Sequence, residues 1–198
     1  MDARKGAPLK QLTTWADADN SPSWSPDGKW IAYLKSQTPE YDIYDQAQRA
    51  IIPSEGGTPK ILNATLDRDV STPRWSADSK SVMVTVEDDR RSHVTSFDLD
   101  GKMKAITSGD RVFNSLQRGA GDTWVTLSSD PMTPNEIYVI ENGNTRRLTH
   151  THDEFLKSLT LATVEAFDSK SKDGTRVGNF LFWPAGKTKD EKLPLILW

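Results

Sequence analysis

The sequence predicts an all-β chain that forms part of a β-propeller, and two observations carry this prediction. Residues 22–31 align with residues 73–82 at a constant offset of 51, and Pro, Trp, Ser, Asp and Lys coincide. An aliphatic residue followed by Thr or Asn also recurs, at spacings of 50, 44 and 42 residues. Units of ~40 to 50 residues with about four short strands are typical of propeller blades. A β-sandwich, the alternative, gives no reason for one turn and one closing strand to recur.

The recurring pair marks the closing strand of each unit. One orphan closing strand at the N-terminus is followed by three complete units, whose closing pairs are, in order, Leu12-Thr13, Leu62-Asn63, Ile106-Thr107 and Leu148-Thr149. Within the units, β-branched or aromatic runs at 30–34, 82–86 and 124–127 indicate strands. A second strand follows each run, around 41–44, 93–99 and 136–140. Since propellers use ~4 to 8 blades, three blades predict a fragment of a longer protein.

A defined turn connects the first two strands of the first unit. In Ser25-Pro26-Asp27-Gly28, proline presets φ, the aspartate side chain can bond the backbone, and glycine accepts positive φ. The second unit keeps only Asp78 of these three, and the third keeps only glycines, which indicates a structural turn. Trp24 and Trp75, which precede the turns, are predicted to pack blade against blade. Ligand stacking is the alternative role for these two residues.

The last 49 residues follow a different pattern. Strand-like runs at 159–167 and 177–183 flank the polar turn at 169–174, and Pro184 ends the second run, which predicts a hairpin. Residues 193–198 are continuously apolar, as in a strand buried on both faces of an α/β sheet. We therefore assign residues 1–149 to propeller blades and residues 150–198 to the beginning of a second domain.

The amino-acid composition argues against nucleic-acid-binding and membrane-spanning proteins. Of 198 residues, 35% are hydrophobic and 27% charged, with a net charge of -3, which is typical of a soluble globular protein. No basic stripe is present that would track a phosphate backbone, so nucleic acid is not an expected partner. No apolar run is long enough to span a membrane, and no secretory signal precedes residue 10. A cytoplasmic location is favoured, and a periplasmic one would need an additional N-terminal signal.

Three features could take part in catalysis or ligand binding, and for each of them a structural role is also possible. His150, His152 and Asp153 resemble metal ligands, but a zinc site usually needs three or four protein ligands, so a solvated loop is favoured. His93 in a predicted strand indicates packing or surface exposure. The charge run 87–91 indicates a solvated hairpin loop with ion pairs to a neighbouring blade. A loop that contacts substrate is the alternative for this run.

No catalytic, cofactor-binding or metal-binding residue is assigned in this chain. Ser21, Ser25 and Ser76 lack the glycine spacing of a nucleophile elbow. The pair Gly56-Gly57 indicates the turn of a hairpin and not a phosphate-binding loop, because the Lys and Ser/Thr of such a loop do not follow it. With no cysteine, the chain has no disulfide, zinc-thiolate site or cysteine nucleophile.

The motif SPSWSPDGKWIAYL resembles the propeller repeat shared by TolB-like proteins and the prolyl oligopeptidase family of serine peptidases. The tail EAFDSKSKDGTRVGNFLFWPAGKTKDEKLPLILW resembles the passage from propeller to α/β-hydrolase domain in the acylaminoacyl-peptidase and dipeptidyl-peptidase branches of that family. The stretch LDRDVSTPRWSADSKSV is also similar to that branch. Together these motifs cover nearly the whole chain in the family's order.

The resemblance implies a fragment of a serine peptidase that cuts short peptides by acyl transfer. Its propeller would gate and shape substrate access, and no cofactor is implied. In such enzymes the catalytic motifs would follow Trp198: the His-Gly-Gly-Pro turn that helps to form the oxyanion site, the Gly-x-Ser-x-Gly nucleophile elbow, and the Asp and His of the triad. This chain alone is therefore expected to be inactive. The acidic pair that binds a substrate amino terminus in the dipeptidyl branch has no counterpart here. The rival interpretations are a TolB-like propeller that binds partner proteins without catalysis, and a truncated gene product without function.

Overall fold

The computed structural model describes residues 8–38, 46–187 and 191–197, and these form three four-stranded antiparallel units followed by a hairpin. The first unit, blade 1, contains β1 (Asp19–Trp24), β2 (Trp30–Lys35), β3 (Gln48–Pro53) and β4 (Lys60–Ile61). Blade 2 contains β5 (Arg74–Trp75), β6 (Ser81–Asp88), β7 (Arg91–Asp98) and β8 (Met103–Ala105). Blade 3 contains β9 (Val112–Arg118), β10 (Trp124–Asp130), β11 (Thr133–Glu141) and β12 (Asn144–Arg147).

The rest of the described chain adds one helix and one hairpin. The helix α1 spans Asp153–Lys157, and the hairpin pairs β13 (Thr163–Lys170) with β14 (Arg176–Trp183). In each blade the strands pair in chain order, and a single parallel pair, Ser92 with Val112, joins blades 2 and 3. The predicted all-β class with four-stranded units is confirmed. In the part of the chain that the structure describes, no helix has the length and apolar character needed to cross a membrane.

The predicted turn of the first unit is held by its own side chains. Ser25 Oγ donates to Asp27 Oδ1 at 2.6 Å and accepts from the Trp30 backbone N–H at 2.9 Å. Gly28 adopts φ +72°, as the turn requires. The hydrogen bond from Ser25, and after it that from the Lys29 backbone N–H, lowers the pKa of the Asp27 carboxyl.

The second unit builds the same turn from different residues. Ser76 Oγ donates to Asp78 Oδ1 at 2.7 Å and accepts from the Ser81 N–H at 3.0 Å. Ser79 takes the place of the glycine with φ +60°. The turn therefore forms in this unit without Pro and Gly, because the Ser–Asp pair supplies the side-chain hydrogen bonds that hold it.

The closing pair has a shared structural role. In all three blades the aliphatic residue donates its N–H to a third-strand carbonyl, and the Thr or Asn side chain accepts the N–H of that same third-strand residue. The side-chain acceptors are Asn63 for Arg49 (2.7 Å), Thr107 for Val94 (2.9 Å) and Thr149 for Ile137 (2.9 Å). The backbone donors are Leu62 (2.7 Å), Ile106 (2.9 Å) and Leu148 (2.7 Å). The recurring residues thus fasten the outer strand to the blade.

The main core lies between blades 1 and 2. Ala32 and Ile51 of blade 1 pack with Val84 and Phe97 of blade 2, and Trp75 is buried among them with 4% exposure. Trp24 is 43% exposed, so the prediction that both tryptophans pack between blades is wrong for this residue. The physical reason is that no blade within the described residues covers the face of blade 1 on which Trp24 lies.

Two predicted strands are not strands in the structure. Residues 8–18 and 191–197 have no strand assignment, so the orphan closing strand at Leu12-Thr13 and the strand at 193–198 are absent from the described residues. An apolar strand needs a hydrogen-bonded partner, and Ile196 is instead 88% exposed. The second strand predicted around 41–44 falls outside the described residues, and the strand that follows β2 and pairs with it is β3.

Candidate functional site

A groove of about 760 Å³ lies between the blades and the hairpin β13–β14. One wall is formed by the loop ends of blades 2 and 3, around Arg90, Arg111 and Met132. The other wall is the face of the hairpin that carries Phe180 and Phe182. Concave sites between structural units are common places for ligand binding, so this groove is the candidate functional site.

The charge run 87–91 forms the tip of the β6–β7 hairpin. Asp88 pairs with Arg91 as the last rung of the ladder, which leaves Asp89 and Arg90 as a two-residue turn. Asp89 adopts φ +59°, a left-handed conformation that Asp tolerates better than most residues. The predicted hairpin loop is present, although its central arginine is not solvated.

Arg90 binds both strands of the terminal hairpin. Its guanidinium donates to the carbonyl of Phe167 on β13 at 2.8 Å and to that of Asn179 on β14 at 3.0 Å. It also pairs with Asp168 at 3.1 Å, and its side chain is only 16% exposed. The planar guanidinium suits such multiple contacts, whereas an ammonium offers one point charge. Arg90 is thus the main polar link between blade 2 and the hairpin.

Asp89 completes this link with a second arginine. Arg176 of β14 pairs with Asp89 at 3.2 Å and with Asp168 at 2.8 Å. The hydrogen bond from Arg176 is the main reason that the pKa of Asp168 is lowered. A Cβ on Gly178 would lie 2.2 Å from Asp89 Oδ1, so a larger residue at this position would displace the Asp89 carboxylate from its present place.

The register of the hairpin gives one of its faces a charged end and an apolar end. The cross-strand pairs Asp168–Gly178, Ala166–Phe180 and Val164–Phe182 lie two residues apart and share one face of the sheet. The charged end of this face forms ion pairs with Asp89 and Arg90 at the tip of the β6–β7 hairpin of blade 2. Towards the other end the face becomes apolar and exposed, with Phe180 at 42% and Phe182 at 57%. The groove therefore opens along the apolar part of the hairpin.

The blade wall carries charges that are already paired. Arg111 donates to Ser128 Oγ at 3.0 Å, to Asp130 at 2.8 Å and to the Tyr138 hydroxyl at 2.9 Å. Arg91 forms an ion pair with Asp110. Because these guanidinium groups have acidic or hydroxyl partners, the open part of the groove is suited to apolar side chains rather than to an anion. The described residues that line it include no histidine.

The residues weighed above as metal ligands, for which a solvated loop is favoured, surround a buried carboxylate that the sequence does not single out. Glu136 on β11 is 1% exposed and receives hydrogen bonds from the Thr149 hydroxyl and the His152 N–H. Arg147 pairs with it at 3.1 Å. These contacts, that from Thr149 most strongly, lower the pKa of Glu136 to about 2.

The neighbouring histidine, His150, lies 2.8 Å from Asp153, the first residue of α1. His152 is 3.5 Å from Glu136. Within the described ranges, no group of three or more His, Cys, Asp and Glu side chains is arranged to hold a metal ion. The loop predicted here is partly helical, and its polar residues fasten α1 to blade 3.

The other candidate residues occupy structural positions. His93 lies 6.4 Å from the Phe113 ring, and burial lowers the pKa of its imidazole. Ser25 and Ser76 each bond the aspartate of their own turn, and Ser21 lies in an irregular part of β1 at φ +52°. The position of Arg90 beneath the hairpin was not predictable, since no local pattern relates residue 90 to residues 167 and 179.

Comparisons with known proteins identify what the chain is similar to. No family model matches it. In sequence it is 27% identical over 188 residues to dipeptidyl-peptidase 5 of Porphyromonas gingivalis, covering 91% of this chain and 26% of that protein. The chain thus spans about a quarter of the length of this curated relative.

Solved structures agree with this similarity at the level of fold. An acylaminoacyl peptidase in complex with Z-Gly-Gly-Phe-chloromethyl ketone matches with a TM-score of 0.69 and 20% identity, over 85% of this chain and 25% of its own. A putative TolB from Agrobacterium tumefaciens matches with a TM-score of 0.59 and 20% identity, over 93% and 73%. The partial propeller fold is confirmed. The resemblance expected from the motifs is met at this level: the sequence relatives are named dipeptidyl-peptidases, the structural neighbours include an acylaminoacyl peptidase and a TolB protein, and the chain covers only part of the peptidases.

Proposed function

We propose that this chain, a partial region of a prolyl-oligopeptidase-type protein, is the propeller part and the start of the α/β-hydrolase domain of a serine peptidase. The whole enzyme would hydrolyse short peptides by acyl transfer through a Ser-His-Asp triad that this chain does not contain. Residues 1–149 would form propeller blades, and residues 150–198 would lead into the catalytic domain. The propeller would limit and shape access to the substrate cavity.

One observation carries the proposal: the hairpin that follows the blades is fastened by Arg90 to the loop end of blade 2. The relatives in sequence are named dipeptidyl-peptidases, and they align with 91% of this chain in the case of the Porphyromonas protein. The similarity therefore includes the blades and extends beyond them. A propeller with no second domain would have no need of a hairpin held at its loop ends.

The residues that line the groove indicate which peptide side chains the enzyme would prefer. Its open part is lined by apolar side chains, among them Met132, Phe180 and Phe182, and the adjacent arginines are paired. We therefore expect the whole enzyme to favour peptides with an apolar side chain close to the cleaved bond. A peptide substrate is the expected partner, and no cofactor is required.

Active-site labelling of the whole gene product tests the proposal. The natural reading frame should continue past Trp198 into a His-Gly-Gly-Pro turn and a Gly-x-Ser-x-Gly elbow, and its product should react with a fluorophosphonate probe. It should also release nitroaniline from aminoacyl or dipeptidyl anilides. The 198-residue chain is the matched control and should do neither.

A full-length product that folds but neither reacts with the probe nor cleaves any anilide would overturn the peptidase proposal. The non-catalytic, TolB-like interpretation would then take its place. Within an active enzyme, Phe182→Ala should raise KM for apolar substrates more than it lowers kcat, because the groove binds without taking part in the chemical step.

A further inference from the structure

The turn between β11 and β12 contains the single Asn-Gly sequence of this chain, Asn142-Gly143. Glu141 and Asn144 form the last pair of the ladder, which leaves Asn142 and Gly143 as a two-residue turn. Their φ angles of +52° and +78° are those of a type I′ turn, for which Asn-Gly is a preferred sequence. The hairpin geometry explains why these residues are present, and it also places two groups that can react with each other in adjacent positions.

An asparagine side chain can react with the main chain of the residue that follows it. The backbone nitrogen of that residue attacks the side-chain carbonyl carbon, a C–N bond forms, and ammonia leaves with the proton of the attacking nitrogen. Water then opens the resulting succinimide ring at one of its two carbonyls, which gives aspartate or isoaspartate. Glycine in the second position favours the attack, because it has no Cβ that would hinder the approach to its nitrogen.

Both reacting groups of the turn are accessible in the structure. Asn142 is exposed, and its side-chain amide forms no hydrogen bond within the described ranges; its backbone carbonyl accepts one from the Asn144 side chain at 3.5 Å. The Gly143 N–H has no acceptor among the described residues. A Cβ on Gly143 would meet no atom of a non-neighbouring residue within 4 Å, so the space around the glycine is open.

The position of the turn allows the chain to reach the geometry of attack. β12 is the outer strand of blade 3, and four residue pairs hold it to β11. Its side chains are mostly exposed. The end of such a strand opens with a small free energy compared with the core strands, so the side chain of Asn142 and the nitrogen of Gly143 can meet without unfolding the blade.

Three Asp-Gly sequences in other turns provide a contrast. They are Asp27-Gly28, Asp100-Gly101 and Asp173-Gly174. In each of them the glycine N–H donates to a carbonyl of the turn, at 2.9, 2.9 and 3.0 Å. A side-chain hydrogen bond is also the main reason that the pKa of each of the three carboxyls is lowered. A carboxyl group loses water to close the ring only when it is protonated, so these three turns are protected in two ways.

We propose that Asn142 is a site of spontaneous deamidation, at which the folded protein acquires aspartate or isoaspartate. Either product adds a negative charge beside Glu141, which pairs with Arg146 at 3.5 Å. Isoaspartate also adds one methylene group to the main chain of a turn that only two residues span. The pair between Glu141 and Asn144 should then be lost, and β12 should separate from β11 at this end. The reaction needs only the turn, whatever activity the protein has.

Peptide mapping of the aged protein tests the proposed site. The folded chain is incubated in mildly alkaline buffer at physiological temperature, digested, and analysed by mass spectrometry with fragmentation that locates the change and separates aspartate from isoaspartate. Asn142 should be converted about tenfold faster than any other asparagine. Asn144 is the internal control, because it is also exposed but precedes Thr145, whose branched side chain hinders the attack. Asn142→Gln should abolish the conversion at this position, since its ring would have six members.

Conversion of Asn142 only after the chain is unfolded in urea would overturn the proposal. Conversion of another asparagine, or of one of the three Asp-Gly sequences, before Asn142 would overturn it as well.

Hydrogen exchange of the aged protein measures the effect on blade 3. The β12 amides should exchange faster in the fraction that contains isoaspartate, whereas the aged Asn142→Gln variant should keep its original rates. Amides of β6 and β7 in blade 2 are the internal reference and should not change. Modified protein whose β12 amides exchange as slowly as before would overturn the proposed separation of β12 from β11.

Discussion

Arg90 shows how an exposed turn can supply a buried contact. Its backbone lies at a hairpin tip, yet its guanidinium binds the carbonyls of Phe167 and Asn179 on two other strands. Hydrogen bonds that involve a charged partner contribute about 1.5 to 3 kcal/mol each in proteins, more than neutral ones. The orientation of the hairpin, and with it the opening of the groove, therefore depends on this residue more than on its neighbours.

We expect Arg90→Lys to loosen the hairpin without unfolding the blades. One ammonium group cannot reach both strand carbonyls and Asp168 together, so the opening free energy of the hairpin should fall by about 1 to 3 kcal/mol. Hydrogen exchange of the β13 and β14 amides measures this change. Arg91→Lys is the matched control, because its pair with Asp110 is exposed and should contribute less than about 1 kcal/mol. Equal effects of the two substitutions would contradict this role.

Glu136 makes the stability of blade 3 depend on pH. Its folded pKa of about 2 lies below the ordinary value of 4.5, so ionised Glu136 stabilises the fold above pH 4.5. This contribution is lost as the pH falls through about 2. Glu136→Gln should therefore lower the urea midpoint most at neutral pH, and the difference from the unsubstituted chain should shrink between pH 4.5 and 2. Glu141→Gln, on the same strand with a half-exposed side chain, should give a small difference in this range.

At the scale of elements, the closing residue fixes the outer strand of each blade. Thr107 Oγ1 accepts the N–H of Val94, a residue with no exposed surface. Thr107→Val keeps the shape but leaves that N–H without an acceptor, which should cost about 1 to 3 kcal/mol in urea unfolding. Thr107→Ser retains the hydroxyl and should cost less. A valine variant as stable as the serine variant would contradict this role for the closing pair.

The sequence alone predicts those elements that are determined by interactions between residues close together in the chain. The Ser–Asp turns, the central strands of the blades and the terminal hairpin each depend on residues a few positions apart, and all are present. The burial of Glu136 depends on Thr149 and Arg147 across a strand pair, and the exposure of Trp24 depends on which blades the described residues include. Such features come from long-range packing, which no local pattern encodes. The apolar run 193–198 shows the same limit, since a strand forms only where a partner strand is available.

At the scale of the whole molecule, blade 2 is the best-protected unit. One of its faces packs on blade 1 through Val84 and Phe97, and the other packs on blade 3 through Met83 and Val94. The hairpin has polar contacts to blade 2 at one end and exposed phenylalanines at the other. Packing on two faces should give the slowest local opening, and one-sided attachment the fastest.

Native-state hydrogen exchange measures this order. Amides of β6 and β7 should have the highest opening free energies, and those of β13 and β14 the lowest. Proteolysis under native conditions should cut first between Ser158 and Ala162, a stretch without helix or strand, and leave the blades intact. Uniform exchange throughout the chain would show that the hairpin and blades unfold as one unit.

The backbone pair between Ser92 and Val112 has a mechanical consequence. Blades 2 and 3 share main-chain hydrogen bonds at this point, including Ser92 N–H to the Arg111 carbonyl at 3.1 Å. Blades 1 and 2 are held by side-chain packing, by the Trp75 indole and by Asp27 N–H to Ser79 Oγ at 3.0 Å. Under tension along the arc, blades 2 and 3 would move as one stiff segment. The compliant joint of the arc would then lie between blades 1 and 2.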